Sequence, residues 1–239
     1  MKTMKKSIIL GLGAMLSLVF SVNVMAAETA PVSQYKETFT PASSSDAVLT
    51  VEVTGQAEDD GYLYISKTVT DMAPAGQAEG ANVEAEVEEC TRGKLEFFRV
   101  KAKDPAQPVE VKVDFNCPGF YAAEPEAEDN GAAYVPVSAK FTNYLSFPVE
   151  SYSVTVTLPE GMEIVKVSTP SKYADFLLGE TEDGCRTITV SKKNVAPAAS
   201  VSSAFTIQPS ENNVKNIVLW VACLAVGGAV LVAKLKENK

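Results

Sequence analysis

There is no histidine among the 239 residues of this chain. That absence excludes Ser-His-Asp and Cys-His nucleophile systems, histidine-ligated zinc or haem, and any switch that works by titrating an imidazole. Tryptophan is nearly missing as well. Its one copy, Trp220, lies in an apolar run near the C-terminus, so no tryptophan platform for stacking sugars exists elsewhere. No glycine-rich loop of the phosphate-cradling kind occurs. Positive charge is also scarce. Setting aside three lysines at each end leaves 15 Lys and Arg between Ala27 and Lys215 against 29 Asp and Glu, a formal charge near −14. Such a surface repels polyanions and argues against nucleic acid as a partner. Carboxylate, thiol and lysine chemistry survive, but no recognisable constellation uses them, and the sequence reads as non-enzymatic, with no cofactor.

The ends address the chain. Met1 to Lys6 is cationic, Ser7 to Val24 is uncharged and apolar, and Val24-Met25-Ala26 offers small or aliphatic residues at −3 and −1. This pattern predicts a signal peptide over residues 1–26, cleaved after Ala26 or one residue later; an uncleaved membrane helix is the alternative. Residues 217–233, IVLWVACLAVGGAVLVA, carry no charge and are followed by Lys234, Lys236 and Lys239. Seventeen helical residues rise roughly 25 Å, enough for a thin hydrocarbon core. The lysines place residues 234–239 in the cytoplasm by the positive-inside rule. The expectation is a single-pass protein of the cell membrane with its large N-terminal region outside.

The order of proline, polar spacer, apolar stretch and lysine tail resembles the C-terminal sorting signal of Gram-positive cell-wall proteins. In that signal Leu-Pro-x-Thr-Gly stands ahead of the span and is cut by a sortase. The matching stretch is Gln208-Pro209-Ser210-Glu211-Asn212, which keeps only the proline. The resemblance implies a surface protein of a Gram-positive-type bacterium, retained in the membrane; attachment to the wall by an atypical sortase is the alternative.

Between the ends, apolar residues alternate with polar ones. Val109, Val111, Val113 and Phe115 enclose Glu110, Lys112 and Asp114, and the pattern recurs at Val135 to Phe141, Val154 to Leu158 and Val201 to Ile207. Further strands are expected at 48–53, 62–70, 94–101, 162–167 and 187–190. A period of two without a competing period of 3.6 predicts an all-β fold of antiparallel sandwiches. The acidic, proline-containing stretch 122–132 reads as a linker between a first sandwich at 35–121 and a second at 133–209, with one continuous sandwich as the rival. In the second unit, Ala139-Lys140-Phe141-Thr142-Asn143 and the run from Pro148 through Leu158-Pro159-Glu160-Gly161 to Val167 resemble bacterial immunoglobulin-like (Ig-like) repeats of the CARDB kind. That resemblance implies an adhesion or spacer module and carries over no catalytic residue.

Four cysteines are present, one of them, Cys223, inside the apolar run. An exported context permits disulfides. If the strands at 94–101 and 109–115 formed a hairpin, Cys90 and Cys117 would meet at one end and bridge, closing a loop worth on the order of 3.5 kcal/mol. Buried thiols are the alternative, and Cys185 is left over. Three acidic turns, Glu58-Asp59-Asp60-Gly61, Glu128-Asp129-Asn130-Gly131 and Glu182-Asp183-Gly184, combine carboxylates with glycine. They make Asp59, Asp60, Asp129 and Asp183 weak candidates for Ca²⁺ ligands, although hairpin turns use the same residues. The functional expectation is therefore adhesion, scaffolding or an accessory role in a surface complex, with other surface proteins or host and envelope ligands as partners. A Ca²⁺- or glycan-binding module is the second reading.

Overall fold

Alternation of apolar and polar side chains gives each strand one buried face, and the folded chain uses those faces to build one core shared by three sheets. The computed structural model describes residues 32–122, 126–127 and 133–210. The expected cleavage point at Ala26, the apolar run 217–233, the basic tail, Asp129, Glu211 and Asn212 lie outside these residues. Among the described residues no helix is long and apolar enough to cross a membrane.

The architecture is all-β. In chain order the strands are β1 (Val32–Pro41), β2 (Ala47–Gly55), β3 (Tyr62–Ser66), β4 (Ala73–Pro74), β5 (Val83–Arg92), β6 (Leu95–Ala102), β7 (Val109–Cys117), β8 (Glu126–Ala127), β9 (Ala133–Thr142), β10 (Val149–Thr157), β11 (Met162–Thr169), β12 (Phe176–Glu180), β13 (Arg186–Val195) and β14 (Ser200–Pro209). A short 3₁₀ turn at Tyr173–Asp175 precedes β12. The large sheet runs β12-β13-β10-β1-β2-β7-β4, and two small sheets run β11-β14-β9-β8 and β3-β6-β5. Phe98 of β6 meets Phe115 of β7 at 4.9 Å between ring centroids, and Phe141 of β9 stacks on Tyr152 of β10 at 4.3 Å. Each small sheet therefore covers its own half of the large one.

The expected division into two separate sandwiches is not how the strands pair. β1 lies between β2, its antiparallel partner, and β10, with which it runs parallel from Val32 opposite Val149 to Phe39 opposite Val156. One sheet thus crosses the boundary placed at 122–132, and its pairing is mixed rather than wholly antiparallel. Part of the expected linker, Glu126–Ala127, is itself the strand β8 and pairs with Ala133 and Tyr134. The Leu158-Pro159-Glu160-Gly161 stretch makes a tight turn, with the Met162 N–H donating to the Pro159 carbonyl at 3.1 Å. Its strands do not pair with each other; the turn carries the chain from the large sheet into the sheet of β11.

The Thr142-Asn143 turn is a packing element. Asn143 is buried, its side-chain amide donates to the carbonyls of Phe147 (3.0 Å) and Val195 (2.9 Å), and its oxygen accepts from the Leu145 N–H at 3.0 Å. Three satisfied bonds are what make a buried amide tolerable.

Candidate functional site

Parity along β1 turns Tyr35, Glu37 and Phe39 toward the core, and all three are buried. A carboxyl group with no exposure requires partners, and Glu37 has two. Thr68, just beyond β3, donates its hydroxyl to Oε1 at 2.5 Å, and Tyr152 of β10 donates to Oε2 at 2.6 Å. Tyr35 accepts from the Ser66 N–H at 3.0 Å. The same segment after β3 grips the second half: the Lys140 N–H donates to the Thr68 carbonyl at 3.1 Å, and the Thr142 N–H donates to Ser66 Oγ at 3.1 Å. The rings of Tyr35, Phe141 and Tyr152 close over this knot, with centroids 4.3 to 6.1 Å apart.

Burial disfavours the carboxylate form and raises Glu37 to about 7, while the Thr68 and Tyr152 hydroxyls partly offset that effect. Burial also pushes Tyr35 and Tyr152 well above the usual phenol range, followed by the nearby Glu37 charge. The carboxyl is therefore shifted toward its protonated form, with the Thr68 and Tyr152 hydroxyls as its partners. Glu37 joins three elements: its own strand, the neighbouring β10 and the segment after β3.

An open groove lies between the two small sheets. It comprises two adjoining clefts of about 600 and 670 Å³ that share Leu95, Lys140, Thr142 and Tyr144. One arm carries Lys67 and Lys94 together with Asp71 and Glu96; the other carries Glu58, Asp59 and Asp60. Lys67 is bonded to Glu96 (2.8 Å) and Glu89 (3.1 Å), and its ammonium is held above the usual lysine range mainly by Glu96. Glu58 bridges the halves at the surface, accepting from the Ser146 N–H and the Ser146 hydroxyl, both at 2.6 Å. Asp60 accepts from the Tyr62 N–H and the Tyr64 hydroxyl. The groove can contact an elongated ligand through both charge signs and the edges of Tyr64 and Tyr144.

The acidic turns are turns. Gly61 and Gly184 hold φ near +82° and +83°, the left-handed conformation that glycine adopts without a Cβ clash. Of the Ca²⁺ candidates, Asp59 and Asp60 line the groove, and Asp183 sits in the turn between β12 and β13. Among the described residues no three Cys, Asp or Glu side chains are grouped to hold a metal ion.

The expected Cys90–Cys117 bridge is absent. Its premise was a hairpin of β6 and β7, but β6 pairs with β3 and β5 while β7 pairs with β2 and β4. Cys90 stands opposite Phe97 in a small sheet, and Cys117 stands opposite Ala47 in the large one. Burial pushes the Cys117 thiol up to about 12, so it is packed and unreactive. Of the sorting-like stretch, Gln208 and Pro209 complete β14 against β11, Gln208 donates to Glu163 at 2.6 Å, and the Ser210 N–H donates to the Gly161 carbonyl at 2.6 Å.

Glu37 and its partners had no counterpart in the sequence reading. Neither did the spacing Ser33-Gln34-Tyr35-Lys36, which on a helix would bring a lysine to a serine. On the extended β1 it does not: Ser33 donates to the Thr54 carbonyl at 3.2 Å, and Lys36 pairs with Glu52 at 2.8 Å.

No protein family matches this chain, and no curated protein is similar to it in sequence. Solved structures do resemble it. An M1 zinc metallopeptidase from Deinococcus radiodurans is 14% identical with a TM-score of 0.41, over 74% of this chain and 42% of that one. A putative protease from Parabacteroides distasonis is 13% identical with a TM-score of 0.41, over 75% and 41%. Native yeast LTA4 hydrolase is 9% identical with a TM-score of 0.42, over 73% and 29%. The matched part of this chain spans less than half the length of each.

Proposed function

We propose that this chain is a non-enzymatic, membrane-anchored surface protein whose two Ig-like halves act together in adhesion, as a scaffold, or as an accessory subunit of a surface complex. The observation that carries the interaction role is the open groove between the small sheets. It is lined from both halves and carries charged side chains of both signs, Lys94 and Lys140 among them. A binding face assembled this way needs the halves fixed in register, which the shared sheet and the Glu37 knot provide. Membrane anchoring rests on the signal-like N-terminus and the run 217–233 with its lysine tail. Retention in the membrane, rather than transfer to the wall, is supported by Gln208 and Pro209, which end β14 and pair with Glu163 and Met162 of β11 where a sortase would need a free segment.

Two measurements test the reading. Reversing the exposed groove charges with Lys94→Glu and Lys140→Glu should reduce the partner recovered by crosslinking on intact cells while leaving the melting point unchanged; an undiminished partner set would contradict it. Detergent should release the full-length chain from the envelope. Recovery in the detergent-resistant wall fraction would overturn retention in favour of the sortase alternative.

A further inference from the structure

Of the five large hydrophobic side chains exposed among the described residues, four lie on one side of the second half. They are Tyr173 (85% exposed), Leu177 (74%), Leu178 (56%) and Val165 (44%). This is the side where the large sheet ends at β12 and the adjoining small sheet ends at β11. The edge strand β3 is uncharged but buried from Leu63 to Ser66, β8 is only two residues long, and three further edges are guarded in the ways that normally prevent strands from pairing with further chains. β5 carries Glu84, Glu86, Glu88 and Glu89; β11 is broken by two register shifts and bears Lys166; β4 is only two residues long. β12, Phe-Leu-Leu-Gly-Glu, has no charge before its last residue and no bulge against β13.

We propose that β12 is a self-association edge, pairing antiparallel with β12 of a second copy of this chain about a two-fold axis at Leu178. The strand is complementary to itself in that register. Leu178 meets its counterpart, Leu177 of each copy lies opposite Gly179 of the other, and Phe176 lies opposite Glu180. Gly179 has no side chain to stand against Leu177 of the second copy, and the space a Cβ would take is approached by Thr187 Oγ1, 2.8 Å from that position. Charge selects the same direction. Glu180, the last residue of β12, is paired with Arg186, which leaves Glu182 and Asp183 as the net charge beyond that end, whereas Lys172 and Asp175 at the other end cancel. Antiparallel pairing keeps the two acidic turns apart, each beside the other copy's Lys172; parallel pairing would set them side by side.

Five residues and one tyrosine cover far less than the roughly 800 Å² per partner of a standard interface. The pairing is therefore reversible, and it strengthens where chains are held on one surface.

The test is crosslinking of the full-length chain in its membrane, with Cys90→Ser and Cys185→Ser removing the competing thiols that are not buried and Cys223→Ser removing the one in the apolar run. Leu178→Cys, placed on the two-fold axis, should give under mild oxidation a product of twice the chain mass, several-fold more abundant than from Glu86→Cys on the guarded β5 edge. Adding Leu177→Asp should return it to the Glu86→Cys level with no change in the melting curve, because Leu177 is exposed. Equal crosslinking at the two positions would overturn the proposal, as would a product unaffected by Leu177→Asp. A product whose mass includes a different protein would assign the edge to that protein and would also overturn self-pairing.

Discussion

Two glutamates of the first half reach across to the second, and they do so in opposite surroundings. Glu37 is buried in the central strand of the large sheet and bonded by two hydroxyls; Glu58 lies at the surface and is bonded by Ser146. The bond lengths are alike, between 2.5 and 2.6 Å. What differs is what replaces the bonds when they are lost. Water re-solvates Ser146 and Glu58, but nothing re-solvates Thr68 and Tyr152. Similar geometry therefore predicts very different energies, and the difference is measurable.

The largest effect belongs to Glu37→Ala. It leaves the Thr68 and Tyr152 hydroxyls unpaired beside a cavity, a loss of about 3 to 5 kcal/mol. At pH 5 this should lower the melting temperature by on the order of 10 °C. Next is the wild-type pH dependence. The folded-state value of about 7 lies above the ordinary glutamate value of 4.5, so the native state holds the extra proton between them. The stability this gives is complete below about pH 4.5 and is lost as pH rises through 7, a fall of about 3 kcal/mol by pH 9. Tyr152→Phe removes one of the two donors to the carboxylate. It should cost about 1 to 2 kcal/mol and extend the decline to higher pH. Smallest is Glu58→Ala, at under about 1 kcal/mol, seen as a melting-point change near the limit of measurement. A Glu58→Ala loss as large as that of Glu37→Ala would erase the distinction between the two ties.

The same carboxylate explains what the sequence concealed. β7, β9, β10 and β14 show strict alternation and are found where expected. β1 places Glu37 among its core-facing positions, between Tyr35 and Phe39, so its inward face reads as interrupted. β1 is thus missed, as β12 is, and β1 is the strand that joins the halves. Its parallel partner, β10, lies more than a hundred residues away, and no local signal encodes that pairing. Sheet membership was likewise illegible: β6 and β7 are neighbours in sequence, yet the segment between them changes sheets, and the expected disulfide was lost with the expected hairpin. The acidic turns at Gly61 and Gly184 were legible because they depend on local backbone conformation. The groove was not, because its walls come from residues brought together only by the fold.

One buried, protonatable carboxyl, that of Glu37, fastens the two halves into a single unit. Melting the full-length wild type and Glu37→Gln side by side at pH 5 and pH 8 tests it most directly. The amide keeps the shape without the charge, so the variant should be no more stable than wild type at pH 5 and more stable at pH 8, where wild type bears a buried carboxylate. Two proteins whose melting points shift in parallel between these pH values would contradict the claim.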